Sequence, residues 1–197
     1  MKVVIDGNIG SGKTTQLNLF QEKGFRVHRE PIDDWPLEVF YSNPERWQLM
    51  FQLRVIQTLP EIRFNTDKRF LFFERSKFSA LHVFWQYALD CQLVSYWEDV
   101  VLRDVYDKVK CEPDIYIYIR RSPIECFRSI QRRNQAGDSK VELRYIERLS
   151  TLYEKMLHKI PCPVHVVEAD GRDPDEVHRE IIKVLQSKAH ELHSFDP

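Results

Sequence analysis

An α/β sandwich around a parallel sheet is predicted by three features of this chain. Short apolar runs alternate with helix-length segments, the runs are rich in β-branched and aromatic residues, and chemistry-bearing residues gather where the runs end. Strands of a parallel sheet are covered on both faces, so their sequences lose the polar–apolar alternation of a half-exposed sheet. Ligands of such sheets collect beyond the carboxyl ends of the strands.

The first run is Val3-Val4-Ile5, followed by Gly7-Asn8-Ile9-Gly10-Ser11-Gly12-Lys13-Thr14 and a helix over Thr14–Gln21. The pattern Gly-x4-Gly-Lys-Ser/Thr between a strand and a helix predicts a phosphate-binding loop. Its glycines allow a tight turn whose N–H groups face an anion, and the helix N-terminus adds partial positive charge at the same place. In this loop Lys13 reaches the outer phosphates as a point charge, and the Thr14 hydroxyl is the expected Mg²⁺ ligand.

Gly24 ends the first helix and Phe25–His28 starts a second strand, which runs into Arg29-Glu30-Pro31. A loop follows over Ile32–Pro36, because proline restricts the residue before it. Asn43 as a cap and Pro44 at the first helical position open a helix that reaches about Leu59. Trp47, Phe51, Val55 and Leu59 recur on one face of it, Leu49, Leu53 and Ile56 on another, so this helix is deeply placed. Gln52 is the exception, an amide among apolar neighbours.

A third buried strand is read at Arg69–Phe73, ending in Glu74-Arg75-Ser76, with a helix over Lys77–Leu89 and another over Ser95–Val109. The fourth strand, Asp114–Ile119, enters Arg120-Arg121-Ser122-Pro123, followed by a helix to about Arg133 and a polar stretch around Gly137. A helix over Val141–Leu157, a fifth strand at Val164–Val167, Asp170-Gly171 and a last helix from Pro174 complete the chain. The expected fold is a five-stranded parallel sheet flanked by helices. Its strand ends bring the phosphate loop, Glu30, Glu74-Arg75 and Arg120-Arg121 to one site.

The chain has 197 residues, enough for one domain with a full core, and its 43% hydrophobic and 30% charged residues are ordinary for a soluble protein. A net charge of −1 makes no electrostatic case for a nucleic-acid or membrane partner. No apolar run approaches the ~20 residues of a membrane span, and no signal-peptide pattern is present. Cys91, Cys111, Cys126 and Cys162 are widely spaced, which argues against a metal site or disulfide framework and for reduced thiols in the cytoplasm.

A phosphate loop serves hydrolases, switches and transferases alike. The Asp-x-x-Gly and Asn-Lys-x-Asp motifs of a GTPase switch are absent. A kinase needs a carboxylate near the acceptor hydroxyl, cations for the developing phosphoryl charge and a cover that excludes water. Glu30 offers the carboxylate. Arg75 and the arginines at 128–133 offer cations, and Asn134–Lys140 offers the cover.

With these residues in hand, the chain resembles the deoxynucleoside kinases, in the branch of the insect multisubstrate kinase and mitochondrial thymidine kinase. The likeness rests on Gly7 to Thr15, Glu30-Pro31 with Trp35, Tyr41 with Asn43-Pro44 and Trp47, Phe51-Gln52, and Glu74-Arg75-Ser76 with Phe78-Ser79-Ala80. It continues through Tyr116 to Arg120 and through Val141, Leu143, Tyr145 and Glu154. The resemblance implies a P-loop kinase fold, one kinase domain over residues 1–197 with a lid at about 128–142, a homodimer, and ATP with Mg²⁺.

For the site, the resemblance implies Glu30 as general base, Arg75 on the 5′-hydroxyl end and the transferring phosphate, and Arg133 as a lid arginine. It implies Glu74 assisting Thr14 at Mg²⁺, with Arg132 and Asp170 beside the loop residues on the nucleotide. Tyr41 and Glu154 match a pair on the 3′-hydroxyl, Gln52 the amide that reads the base edge, Phe84 the ring stacked on the base, and Trp35 a pocket wall. The lid departs from the family where Gln135 replaces a further arginine, Ala136-Gly137-Asp138 replaces acidic residues, and Glu142 replaces a proline. Val55, Leu59 and Ala80 stand where deoxycytidine kinases carry larger polar residues, including an arginine and an aspartate. They favour thymidine, with other pyrimidine deoxynucleosides as secondary substrates. Thymidylate kinase and a non-catalytic nucleotide-binding regulator are the alternatives.

Overall fold

A computed structural model describes residues 1–62, 70–133 and 137–189. Five strands, β1 (Lys2–Asp6), β2 (Arg26–His28), β3 (Leu71–Glu74), β4 (Ile115–Arg120) and β5 (Val164–Glu168), form one parallel sheet in the order β2-β3-β1-β4-β5. The strand read from Arg69 begins at Leu71, and Arg69 lies outside the described residues. β1 is central and buried along its whole length, with Val4 opposite both Phe73 and Tyr116.

The helices are α1 (Lys13–Glu22), α2 (Leu37–Ser42), α3 (Pro44–Thr58), α4, α5 (Tyr96–Lys108), α6 (Pro123–Arg133), α7 (Leu143–Leu157) and α8 (Pro174–Ala189). α4 is composite: Lys77–Ser79, a π-helical segment Ala80–Trp85, then Gln86–Asp90. Asn43 caps α3 by accepting from the Arg46 N–H, and Ser95 with Glu98 forms a capping box at α5. The expected loop after β2 contains a 3₁₀ turn at Ile32–Asp34 and leads into α2, a short helix whose six residues carry too little pattern to announce it.

Alternate residues of each strand feed opposite faces of the sheet. On one face Val3, Ile5 and Phe72 pack with Leu17 and Phe20 of α1 and Ile181 and Leu185 of α8. Phe20 and Phe72 stack there with ring centres 4.0 Å apart. The other face buries Val4, Phe73, Tyr116 and Tyr118 under Val83 of α4 and Leu149, Tyr153 and Met156 of α7. Each such side chain contributes roughly 1.5–3 kcal/mol by leaving water. A third cluster, with Phe51, Val55 and Ile56 of α3, Trp85 and Ala88 of α4 and Leu102 and Tyr106 of α5, fixes the helices over the carboxyl end of the sheet.

Candidate active site

The carboxyl ends of β1, β2 and β3 open into a cavity of about 1580 Å³. Ile9, Gly10, Gly12, Lys13, Thr14 and Thr15 line one end of it. Gly7, Asn8 and Ser11 complete the loop behind them, with Asn8 and Ser11 buried. Gly10 and Gly12 have φ of +78° and +99°, the left-handed region open to glycine. A Cβ on Gly10 would also fall 2.4 Å from the Cys126 carbonyl oxygen, so the loop packs directly on α6. The Asn8 amide donates to the Ile146 carbonyl at 2.9 Å, tying the loop to α7.

Lys13 Nζ donates to the carbonyls of Gly7 and Asn8 at 3.1 and 2.9 Å. Burial, with help from the Arg75 charge, pulls the Lys13 pKa down to about 8 against the opposing carboxylates of Glu74, Glu30 and Asp6. Thr14 Oγ1 donates to Glu74 Oε1 at 2.9 Å. That pair of oxygens fits a Mg²⁺ ion that draws its remaining ligands from phosphate and water. Ser11 Oγ is buried and finds no hydrogen-bond partner among the described residues, as expected for a loop shaped to receive an anion.

Arg75 adopts φ +60° directly after β3, an uncommon conformation for a residue with a side chain. It is over-determined by its partners. Nε donates to Glu30 Oε2 at 3.0 Å, Nη1 donates to the Tyr153 hydroxyl, and Asp6 Oδ1 lies 3.9 Å from Nη1. Its guanidinium carbon sits 4.8 Å from the centre of the Phe84 ring. Asp6 accepts from the Tyr116 and Tyr153 hydroxyls and from the Gly7 N–H, which joins the loop to the arginine through one buried carboxylate. Burial raises the Glu30 pKa, with Arg75 opposing.

Trp35, Tyr41, Gln52, Val55, Leu59, Ala80 and Phe84 line the deeper end of the cavity. Trp35 is fixed by donating from Nε1 to Thr58 Oγ1 at 2.8 Å. Gln52 is 3% exposed, and its Oε1 has no hydrogen-bond partner among the described residues. Ala80 and Phe84 both belong to the π-helical segment of α4, a distortion that often accompanies functional sites.

At the lid, Arg133 reaches the cavity and is held by Asp138, which accepts from Nε and Nη2 at 2.9 Å each. The replaced lid positions Gln135 and Ala136 lie outside the described residues. Three expected site residues are positioned elsewhere. Arg132 points away from the cavity, its Nε donating to the Arg128 carbonyl at 3.3 Å, because one residue along a helix turns a side chain by about 100°. Asp170 accepts from the Ser122 N–H at 3.0 and 3.1 Å, securing the chain just before α6. Glu154 is held by Arg120, which donates from Nε and Nη2 at 2.8 and 2.7 Å.

Asp138, and not Glu154, is among the acids that line the cavity. It lines the cavity with Tyr41, and its charge adds to burial in raising the Tyr41 pKa, with Arg133 opposing. Gly137, at φ +86°, lies so close to the Tyr41 ring that a Cβ there would approach to 2.7 Å. The only cue in the sequence was an acid beside a glycine in a polar stretch.

The deoxynucleoside kinase family model matches residues 3–190. The chain belongs to the deoxynucleoside kinase family. It is 28% identical over 198 residues to the probable deoxycytidine kinase FPV151 of Fowlpox virus (strain NVSL), covering 91% of this chain and 83% of the relative. It is 29% identical over 190 residues to the mitochondrial thymidine kinase 2 of Homo sapiens, covering 85% and 70%. Among solved structures, the deoxyadenosine kinase from M. mycoides with bound dATP superposes with a TM-score of 0.79 at 22% identity, covering 94% of this chain and 100% of that one. The fold is the P-loop kinase fold. Membership supports deoxynucleoside kinase activity with a nucleotide as phosphate source. No helix among the described residues is long and apolar enough to cross a membrane.

Proposed function

We propose that this deoxynucleoside kinase transfers the γ-phosphate of ATP to the 5′-hydroxyl of thymidine, with other pyrimidine deoxynucleosides as secondary substrates. The observation that carries the reading is Gln52, a buried amide with an unpartnered oxygen in a cavity that Trp35, Val55, Leu59, Ala80 and Phe84 also line. An orphaned buried acceptor is costly, and the edge of a base repays it with a hydrogen bond. Val55, Leu59 and Ala80 add an apolar wall with room for the thymine methyl, worth roughly 1–3 kcal/mol in selection.

In this reading Tyr41 and Asp138 hold the 3′-hydroxyl, and the 5′-hydroxyl meets Glu30. Arg75 occupies Glu30 Oε2, which leaves Oε1 to take the hydroxyl proton. Thr14 and Glu74 would hold Mg²⁺, which when bound would supply positive charge against the phosphates. Lys13, Arg75 and Arg133 supply the cations around the phosphoryl group, and the 128–142 lid excludes water.

The protein is proposed to act in the cytoplasm as one domain and as a homodimer. α5 supports the dimer, because Tyr96, Trp97 and Val101 are 72%, 73% and 50% exposed on it. Trp97 and Val101 are one helical turn apart and share a face that a second copy would cover.

The deciding assay offers thymidine, deoxycytidine, deoxyguanosine and thymidine monophosphate side by side with ATP and Mg²⁺. Preferential conversion of thymidine is expected. Turnover of the monophosphate alone would overturn the reading of Gln52 and Tyr41 in favour of a thymidylate kinase. ATP binding without turnover would make the protein a regulator.

A further inference from the structure

Two consecutive arginines leave β4 and meet opposite circumstances. Arg120 is neutralised, since it donates to Glu154 and, from Nη1, to Glu168 at 2.8 Å. Arg121 turns the other way, into the wall of the cavity beside Gly10, Ser129 and Arg133. Its Nη1 donates to the Gly10 carbonyl of the phosphate loop at 3.4 Å. Its Nε is buried with no hydrogen-bond partner among the described residues. Glu125 lies 3.9 Å from Nη2 and is shared with Arg128.

A guanidinium that lines a cavity, leans on a phosphate loop and has a distant counter-ion is a poorly satisfied cation. Its planar fork of donors matches the oxygens of a phosphate. We infer that Arg121 binds the phosphate chain of the donor nucleotide, adding a cation on the α6 side of the loop opposite Lys13. The inference rests on the kinase reading for the identity of the donor, but its test reads binding rather than turnover.

The experiment measures binding of a non-hydrolysable β,γ-imido analogue of ATP with Mg²⁺ to the full chain by calorimetry, and repeats it with inorganic tripolyphosphate. Arg121→Met is expected to weaken both roughly tenfold or more, the usual loss for a charge-assisted hydrogen bond, while thymidine binding stays within twofold. Arg120→Ala, the same charge lost one residue earlier, is expected to leave analogue binding within twofold. If Arg121→Met does not fold, Arg121→Lys retains the charge but loses the fork, and at least threefold weaker analogue binding is expected. Undiminished analogue binding in the folded variant overturns the inference. A loss confined to the analogue, with tripolyphosphate unaffected, overturns it too, because the contact would then be to adenosine. An equal loss in Arg120→Ala would reduce the effect to net charge. Wild-type turnover of thymidine is scored separately, so failure of the kinase reading is distinguishable from failure at Arg121.

Discussion

Glu30 Oε2 accepts from Arg75 Nε at 3.0 Å, with side chains only 9% and 7% exposed respectively. A carboxylate and a guanidinium so placed are held in register before any substrate arrives. Truncating Glu30 would leave Arg75 Nε with neither counter-ion nor acceptor at a cost of about 3–5 kcal/mol, so Glu30→Gln, which keeps the shape and an oxygen to accept from Arg75 Nε, is the informative change. It is expected to lower kcat roughly 10²–10⁴-fold, the span of a lost general base, with analogue binding within threefold. A kcat within tenfold of wild type would remove Glu30 from the chemistry.

The Tyr41–Asp138 pair is tested by removing the hydroxyl of Tyr41 and the charge of Asp138. Tyr41→Phe and Asp138→Asn should each raise the KM for thymidine roughly 5- to 50-fold, in keeping with the loss of a hydrogen bond at a buried site. With 3′-deoxythymidine the KM penalty of both variants should nearly vanish, since the group they serve is gone, while Asp138→Asn retains a loss in kcat from its weaker hold on Arg133. An equal penalty on both nucleosides would mean that the pair only shapes the lid.

How far the sequence led depended on the range of the signal. The strands and the phosphate loop are local patterns, and all of these form; Glu30, Glu74 and Arg75 were legible because strand ends converge in a parallel sheet. Gln52 stood out as an amide on an apolar helix and does face the cavity. Glu154 misled because it sits on a regular helix, where nothing local reveals that Arg120, 34 residues earlier, claims its carboxylate. Asp138 was hidden for the opposite reason. It lies in a short irregular segment, where no periodicity predicts a direction, and only the close approach of Gly137 to Tyr41 brings it to the pocket.

His178 predicts a pH dependence of stability. Its Nδ1 lies 3.1 Å from Gln16 Oε1, while Nε2 is buried without a partner among the described residues. Gln16 Nε2 donates to the Pro174 carbonyl, which orients Oε1 as the acceptor and makes Nδ1 the protonated nitrogen. Burial lowers the His178 pKa below 6.5, aided by Lys23 and opposed by Asp175. The unfolded chain therefore binds the proton first, and this group's stability is lost as pH falls below about 6.5. Denaturant titrations at pH 5, 6 and 7 should show a shallower loss for His178→Asn than for wild type. Equal slopes would show that His178 does not set the dependence.

The exposed face of α5 predicts an oligomeric state. Trp97→Asp places a charge on the patch formed with Tyr96 and Val101 and is expected to yield monomers, read by light scattering, without lowering the thermal midpoint of the monomeric fold. A wild-type protein that is already monomeric at micromolar concentration would refute the proposed dimer.

The π-helical segment Ala80–Trp85 makes the length of α4 a constraint of its own. Ala80 and Phe84 face the nucleoside cavity, while Trp85 and Ala88 serve the cluster beneath α3 and α5. Both sets face correctly because the wider turn accommodates an additional residue between them. Deleting any one residue there would close the wide turn into an ordinary helix, leaving the two ends in phase but re-aiming the side chains within the segment. Substitutions in this segment can be absorbed side chain by side chain. A change in residue count cannot, because it re-aims the side chains that line the cavity from within the turn.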